Sequence, residues 1–164
     1  MKACIVLLLV SISIASKAQQ PPVKPQLSKM EWLVGSWKGI SNNVPFFEGW
    51  RKLNDSTMVN FGIEVKGKDT IVKAADQLAI RGQDFFLGKL PNFWLGARLT
   101  DNQIVLRNDS LRFSNRIIWL HTKEDHWFTI LEHPVRTVYY DLTRVAAFDP
   151  HVDKAFEKYR SSLK

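Results

Sequence analysis

In Val59-Asn60-Phe61-Gly62-Ile63-Glu64-Val65 every second residue is apolar, the two-residue period of a strand with one buried face. Turn signals recur at short intervals: Asn54-Asp55, Gly67-Lys68-Asp69, Arg81-Gly82, Asp101-Asn102, Lys123-Glu124-Asp125 and His133-Pro134. Between them the pattern predicts strands over 36–42, 45–53, 57–66, 70–81, 84–89, 93–99, 103–108, 115–122, 126–132 and 135–145. Strands this close together, with no long helix between them, pair antiparallel. The fold expected is all-β, an up-and-down antiparallel barrel of eight to ten strands, because closure removes the exposed edges of an open sheet.

The two ends of the chain carry different periods. Leu27, Met30 and Val34 share one face of a short helical turn, and Val152, Phe156, Tyr159 and Leu163 form the stripe of a C-terminal amphipathic helix over 147–164. Asp149 suits its cap and Pro150 its first position, and the stripe is expected to pack on the barrel wall. The barrel proper then occupies 29–146, and Pro21, Pro22 and Pro25 make 19–28 an extended tether. Over 1–18, Lys2 precedes an apolar run from Ile5 to Val10, and Ser16-Lys17-Ala18 places small residues for cleavage after Ala18. This reads as a secretory signal peptide, which places the protein in the periplasm or outside the cell. The apolar run is short for a membrane span, and no second one follows.

Composition narrows the chemistry. A chain of 164 residues with 45% hydrophobic residues suits one domain with a full core. Its only cysteine, Cys4, leaves with the signal peptide, which excludes disulfides, cysteine nucleophiles and thiolate metal sites from the mature chain. Cleavage also removes Lys2 and Lys17, lowering the net charge from +7 to +5. The basic residues are dispersed, which fits a solvated surface better than a nucleic-acid track. There is no G-x-S-x-G nucleophile elbow.

Trp32-Leu33-Val34-Gly35-Ser36-Trp37-Lys38-Gly39 opens the folded part, and Arg144 stands in the last strand. In a closed barrel these strands are neighbours, so the Arg144 guanidinium can lie across the Trp37 indole while Gly35 lets the chain bend into the first strand. This latch resembles that of the calycin superfamily, which includes lipocalins, fatty-acid-binding proteins and nitrobindins. More closely, the chain resembles a bacterial lipocalin-like family of uncharacterised function that begins W-L-x-G-x-W-x-G and continues with E-x-W, here Glu48-Gly49-Trp50. An inward acid of that family is matched by Asp76 in Asp76-Gln77-Leu78-Ala79-Ile80, and the likeness runs from Trp32 to about Val145. A further family stretch resembles E-N-P-x-H-D-F-P-x-R-I-I-Y. Asn108, Phe113, Arg116, Ile117 and Ile118 match it, but Leu111 and Arg112 replace its His-Asp pair. The resemblance implies a barrel that binds a small molecule, and through the nitrobindins a haem ligated by His121 or His133.

Strict alternation places Thr70, Val72, Ala74, Asp76, Leu78 and Ile80 on one interior face, and Glu48 on another with Phe46 and Trp50. Interior carboxylates need partners. Either Arg98 or Arg116 meets them in a buried network, or they face a hydrated cavity and a ligand's polar end. The ligand-binding candidates are therefore Glu48, Asp76, Arg98 and Arg116, with Phe46, Trp50, Phe61 and Trp94 covering an apolar body. Phe93, Trp94 and Leu90 around Pro91 suggest a rim. No pair among His121, His126, His133 and His151 has metal-ligand spacing. The expected function is an exported barrel binding a small hydrophobic or amphipathic molecule, without a cofactor and without nucleic acid. The alternatives are a cell-envelope interaction module, a haem protein, or an enzyme using Glu48 and Asp76 as an acid/base pair.

Overall fold

The computed structural model describes residues 24–89, 92–110 and 115–163. The expected signal peptide, the first half of the expected tether, Leu90 and Pro91, and Leu111 to Ser114 of the stretch compared with the lipocalin-like family lie outside them. A 3-10 helix over Leu27–Leu33 leads into β1 (Gly35–Ser41), β2 (Val44–Asn54), β3 (Thr57–Lys66), β4 (Asp69–Arg81) and β5 (Asp84–Lys89). Then follow β6 (Asn92–Leu99), β7 (Gln103–Arg107), β8 (Arg116–Lys123), β9 (His126–His133) and β10 (Arg136–Arg144). A 3-10 turn at Ala146–Phe148 introduces α1 (Asp149–Ser161). Each strand pairs antiparallel with its sequence neighbours, and β10 returns to β1, so ten strands close the barrel. All ten expected strands form, with ends displaced by at most one residue.

The closure is short. Only Trp37↔Arg144 and Lys38↔Thr143 are in register between β1 and β10, so Gly39–Ser41 and the first two thirds of β10 run on without each other. The β4–β5 ladder is also brief, from Leu78↔Leu87 to Arg81↔Asp84, which leaves 69–77 of β4 beyond its partner. Beyond those pairs the upper parts of β1 and β10, and of β4 and β5, are out of register with each other.

At the end where β1 begins, the latch forms as the sequence suggested. Trp37 is fully buried and its Nε1 donates to Leu33 O at 2.7 Å. The Arg144 guanidinium lies 5.7 Å from the Trp37 ring centre, and its Nη1 donates to Val34 O at 2.9 Å. Gly35 has φ +142°, and any Cβ there would overlap that guanidinium, so glycine is required twice over. The 3-10 helix plugs this end: Leu27, Met30 and Leu33 join Trp37, Trp50, Met58, Leu78, Ile104, Trp119, Trp127 and Leu142 in one core. Trp32 and His121 stack at 5.1 Å beneath it.

A second apolar cluster lies outside the barrel. Helix α1 presses Val152, Phe156 and Tyr159 against Val59, Phe61, Ile63 and Val72, with Phe148 on Phe47 at 4.9 Å. Val152 approaches so closely over Gly49 that a Cβ there would sit 2.7 Å from its Cγ2. Asp149 does not cap the helix; Phe148 holds the cap position. Instead its carboxylate accepts from Ser36 Oγ at 2.7 Å and pairs with Arg51 at 3.1 Å and Arg144 at 3.4 Å. One side chain thereby ties the first, second and last strands to α1. Leu163 lies past the helix end and is exposed.

Four placements differ from expectation. The apolar face of Val59, Phe61 and Ile63 looks outward under α1, so Phe61 is a wall residue and Met58 and Asn60 take the inside. In β4 the register shifts by a residue between Phe61↔Ala74 and Val59↔Gln77, which breaks the alternation expected over 70–81. Val72 therefore packs with α1 while Leu78 and Ile80 pack inside, and Asp76 falls at the irregularity, exposed. A second shift between Gly96 and Arg98 pairs Arg98 with Val105, on the outer wall. Arg116 is also on that wall, bonded to Glu132 at 3.1 Å.

Candidate functional site

The upper half of the barrel interior differs from the plugged base. In β2 the alternation sends Phe47, Gly49 and Arg51 out towards α1 and turns Phe46, Glu48 and Trp50 inward. Glu48 is flanked across the ladder by Trp37 on β1 and Gly62 on β3. Gly62 leaves open space where a side chain would be, with nothing within 4 Å of a built Cβ. Above, Phe46 meets Tyr140 edge to face at 5.4 Å, and Ser41 Oγ lies 3.5 Å from Tyr140 Oη between the upper parts of β1 and β10. Phe46, Glu48, Trp94, Leu131 and Tyr140 keep some solvent access, whereas Trp37, Trp50, Met58 and Trp127 below them have almost none.

Glu48 sets the electrostatics. Its Oε1 accepts from Trp50 Nε1 at 3.1 Å. Burial raises its pKa from 4.5 to about 7, against the opposing pull of hydrogen bonding from Trp50 and Asn60. No arginine or lysine among the described residues contributes to that balance. Asn60, 8% exposed, turns its Nδ2 towards Glu48 without completing a regular hydrogen bond, and Trp94 Nε1 is buried and unpaired. An unpaired buried donor costs about 1–3 kcal/mol, so both sites favour an acceptor arriving from outside the chain.

Of the residues selected from the sequence, Phe46, Glu48, Trp50 and Trp94 face the interior, with Trp37, Gly35 and Arg144 in the latch beneath. Phe61, Arg98 and Arg116 do not join them. Asp76 lies exposed at the β4 irregularity and is not among the causes of the raised Glu48 pKa. Asn60 is not legible as an interior residue in the sequence, because the apolar face of β3, Val59, Phe61 and Ile63, packs under α1 and leaves the polar side facing inward.

Of the two histidines that the nitrobindin resemblance selects, His121 has one face stacked on Trp32 at 5.1 Å, and His133 Nδ1 accepts from Val135 N at 3.1 Å. No group of three or more His, Cys, Asp or Glu suited to a metal occurs among the described residues.

Hollows also mark the exterior. One of about 620 Å³ lies on the outer wall between Arg98, Val105, Arg107, Arg116 and Glu132, and one of about 200 Å³ lies around Phe86 and Phe93. Ion pairs to Asp109 and Glu132 occupy Arg107 and Arg116 in the larger. No helix among the described residues is long and apolar enough to cross a membrane. Comparison with protein-family models, with curated proteins and with solved structures finds no match.

Proposed function

We propose that this protein is an exported, calycin-like carrier that holds a small amphipathic molecule in the upper half of its barrel. The observation that carries the reading is Glu48, a desolvated carboxyl with a pKa of about 7, set beside the weakly engaged Asn60 amide and under aromatic walls. A core built only for stability gains little from such a group, since an apolar side chain of similar size avoids the desolvation cost. Phe46, Tyr140 and Trp94 would cover the ligand's apolar body, in keeping with small-ligand sites that combine apolar walls with a few aimed polar groups.

The same chemistry selects the polar end. With Arg98 and Arg116 on the outer wall, no described cation neutralises Glu48, and Lys73 is the nearest in its cross-strand row, exposed on β4 beyond Gly62. A carboxylate ligand would meet an acid without a counter-charge. An amine or alcohol instead donates to Glu48, and an alcohol or carbonyl oxygen accepts from Asn60.

Titration with decylamine, decanol and decanoate, followed by tryptophan emission, tests this because Trp50 Nε1 is bonded to Glu48. The amine and alcohol are expected to bind at least about tenfold more tightly than the acid, and Glu48→Gln to remove the amine's advantage. Preference for decanoate, or no saturable binding by any of the three, overturns the reading.

A further inference from the structure

We infer that the open rim of the barrel is a docking surface for an anionic lipid bilayer. The inference concerns a different surface from the interior site and does not depend on what that site holds. Three turns meet along one arc, because β9, β10, β1, β2, β3 and β4 are consecutive around the barrel. Each carries exposed β-branched apolar side chains: Ile40 and Val44 at the β1–β2 turn, Val65 at the β3–β4 turn and Val135 at the β9–β10 turn. Their relative exposures run from 46% to 83%, so none of the described residues covers them. The β1–β2 turn is a tight Asn42-Asn43 pair with φ of 50° and 64°, which holds Ile40 and Val44 on a rigid projection.

Charge favours a lipid surface over other occupants. Lys66 and Lys68 flank Gly67, and Arg136 follows Val135, all exposed; the acids of this arc are Asp69, Glu64, paired to Lys66 at 3.0 Å, and Glu132, paired to Arg116 at 3.1 Å. The turns at the plugged end are the reverse. Asp55, Asp84, Asp101, Glu124 and Asp125 lie in or beside them with Arg81 and Lys123, Asp55 and Asp101 are paired to Lys52 and Lys29, and none of the exposed large apolar residues lies there. The chain as a whole carries +7. Apolar tips with basic neighbours suit the interface of an anionic bilayer, where each lysine or arginine near the surface contributes about 1 kcal/mol. A stable contact with a second copy needs about 800 Å² on each partner, and four small side chains spread along an arc supply well under that.

The test uses the full chain with Cys4→Ser and one of three reporter positions, Val44→Cys, Val135→Cys or Ser56→Cys, labelled with an environment-sensitive fluorophore. With phosphatidylglycerol-containing vesicles, emission from positions 44 and 135 is expected to rise about threefold and to shift blue, and the response should fall in high salt. Ser56, in the β2–β3 turn at the plugged end, should not respond. Lys68→Glu with Arg136→Glu should weaken the vesicle response about tenfold. A flat response at 44 and 135, an equal response at 56, or an equal response to uncharged phosphatidylcholine vesicles overturns the inference. So does a rise without lipid that grows with protein concentration, which identifies a second copy as the occupant.

Discussion

The two ends of this barrel are built on opposite rules. At the plugged end, Trp37, Trp50, Trp119 and Trp127 meet ring against ring, the 3-10 helix fills what they leave, and the turns outside are acidic and polar. At the rim, the interior keeps an uncompensated carboxyl, two ladders stop short, and the turns expose valine and isoleucine, while buried polar atoms without a partner occur at both ends, Trp94 Nε1 above and Trp127 Nε1 and His121 Nε2 in the plugged core. Stability is therefore concentrated at one end, which lets the other tolerate polar groups and gaps that a uniformly packed barrel would not keep.

The largest effects should come from the plugged end. Trp37→Ala removes a fully buried indole at the centre of the ring cluster and should cost about 3–5 kcal/mol, read as a lower denaturant midpoint. An unchanged midpoint would show that the closure rests elsewhere. Arg144→Ala should be milder, because the guanidinium lies over the indole from a partly exposed position. Asp149→Ala should come next, at about 2 kcal/mol, since it strands buried Ser36 Oγ and takes a partner from both Arg51 and Arg144. A double variant with Arg144→Ala should lose less than the sum of the two, because the residues share one network.

Sequence alone revealed the barrel more fully than its contents. Turn residues every ten or so positions fix the strands, and Trp37 with Arg144 fixes the closure, because both are local signals or follow from one pairing. Which face of a strand points inward is not local. The apolar side of β3 belongs to α1, and only the stripe Val152, Phe156, Tyr159 at the far end of the chain hints that a second buried face is needed. The irregularities at Asp76 and before Arg98 each insert one residue and reverse the parity, and neither Ala75 nor Ala97 announces it. Glu48 was legible because β2 has no such break between Val44 and Trp50.

Glu48 links the two ends and should give a smaller, pH-dependent signal. Its pKa is higher folded, about 7, than the 4.5 of an unburied carboxyl, so the folded state binds the proton more tightly. The resulting stabilisation is full below pH 4.5 and is lost as the pH rises through 7. A shift of this size corresponds to about 3 kcal/mol if undiluted, and water reaching the upper interior reduces the expected loss to about 2 kcal/mol. Denaturation midpoints between pH 4.5 and 8 should therefore fall for the wild type and stay nearly level for Glu48→Gln. A wild-type profile as flat as the variant's would mean that Glu48 is ionised throughout, and the contrast between the two ends would lose its electrostatic part.

The smallest stability effects should come from the rim, and their smallness is the point. Val44→Ser and Val135→Ser alter side chains that are 64% and 83% exposed and touch no part of the core, so each should change stability by less than about 0.5 kcal/mol. Retaining such residues on a projecting turn has no return in folding, and each adds apolar surface that favours aggregation. If denaturation shows either variant to be destabilised as strongly as Asp149→Ala, the rim valines serve the fold and the division between a structural and a working end collapses. If both variants keep their midpoints while losing the vesicle response, the same residues are shown to be dispensable for folding and required for the surface, which sharpens the division to single side chains.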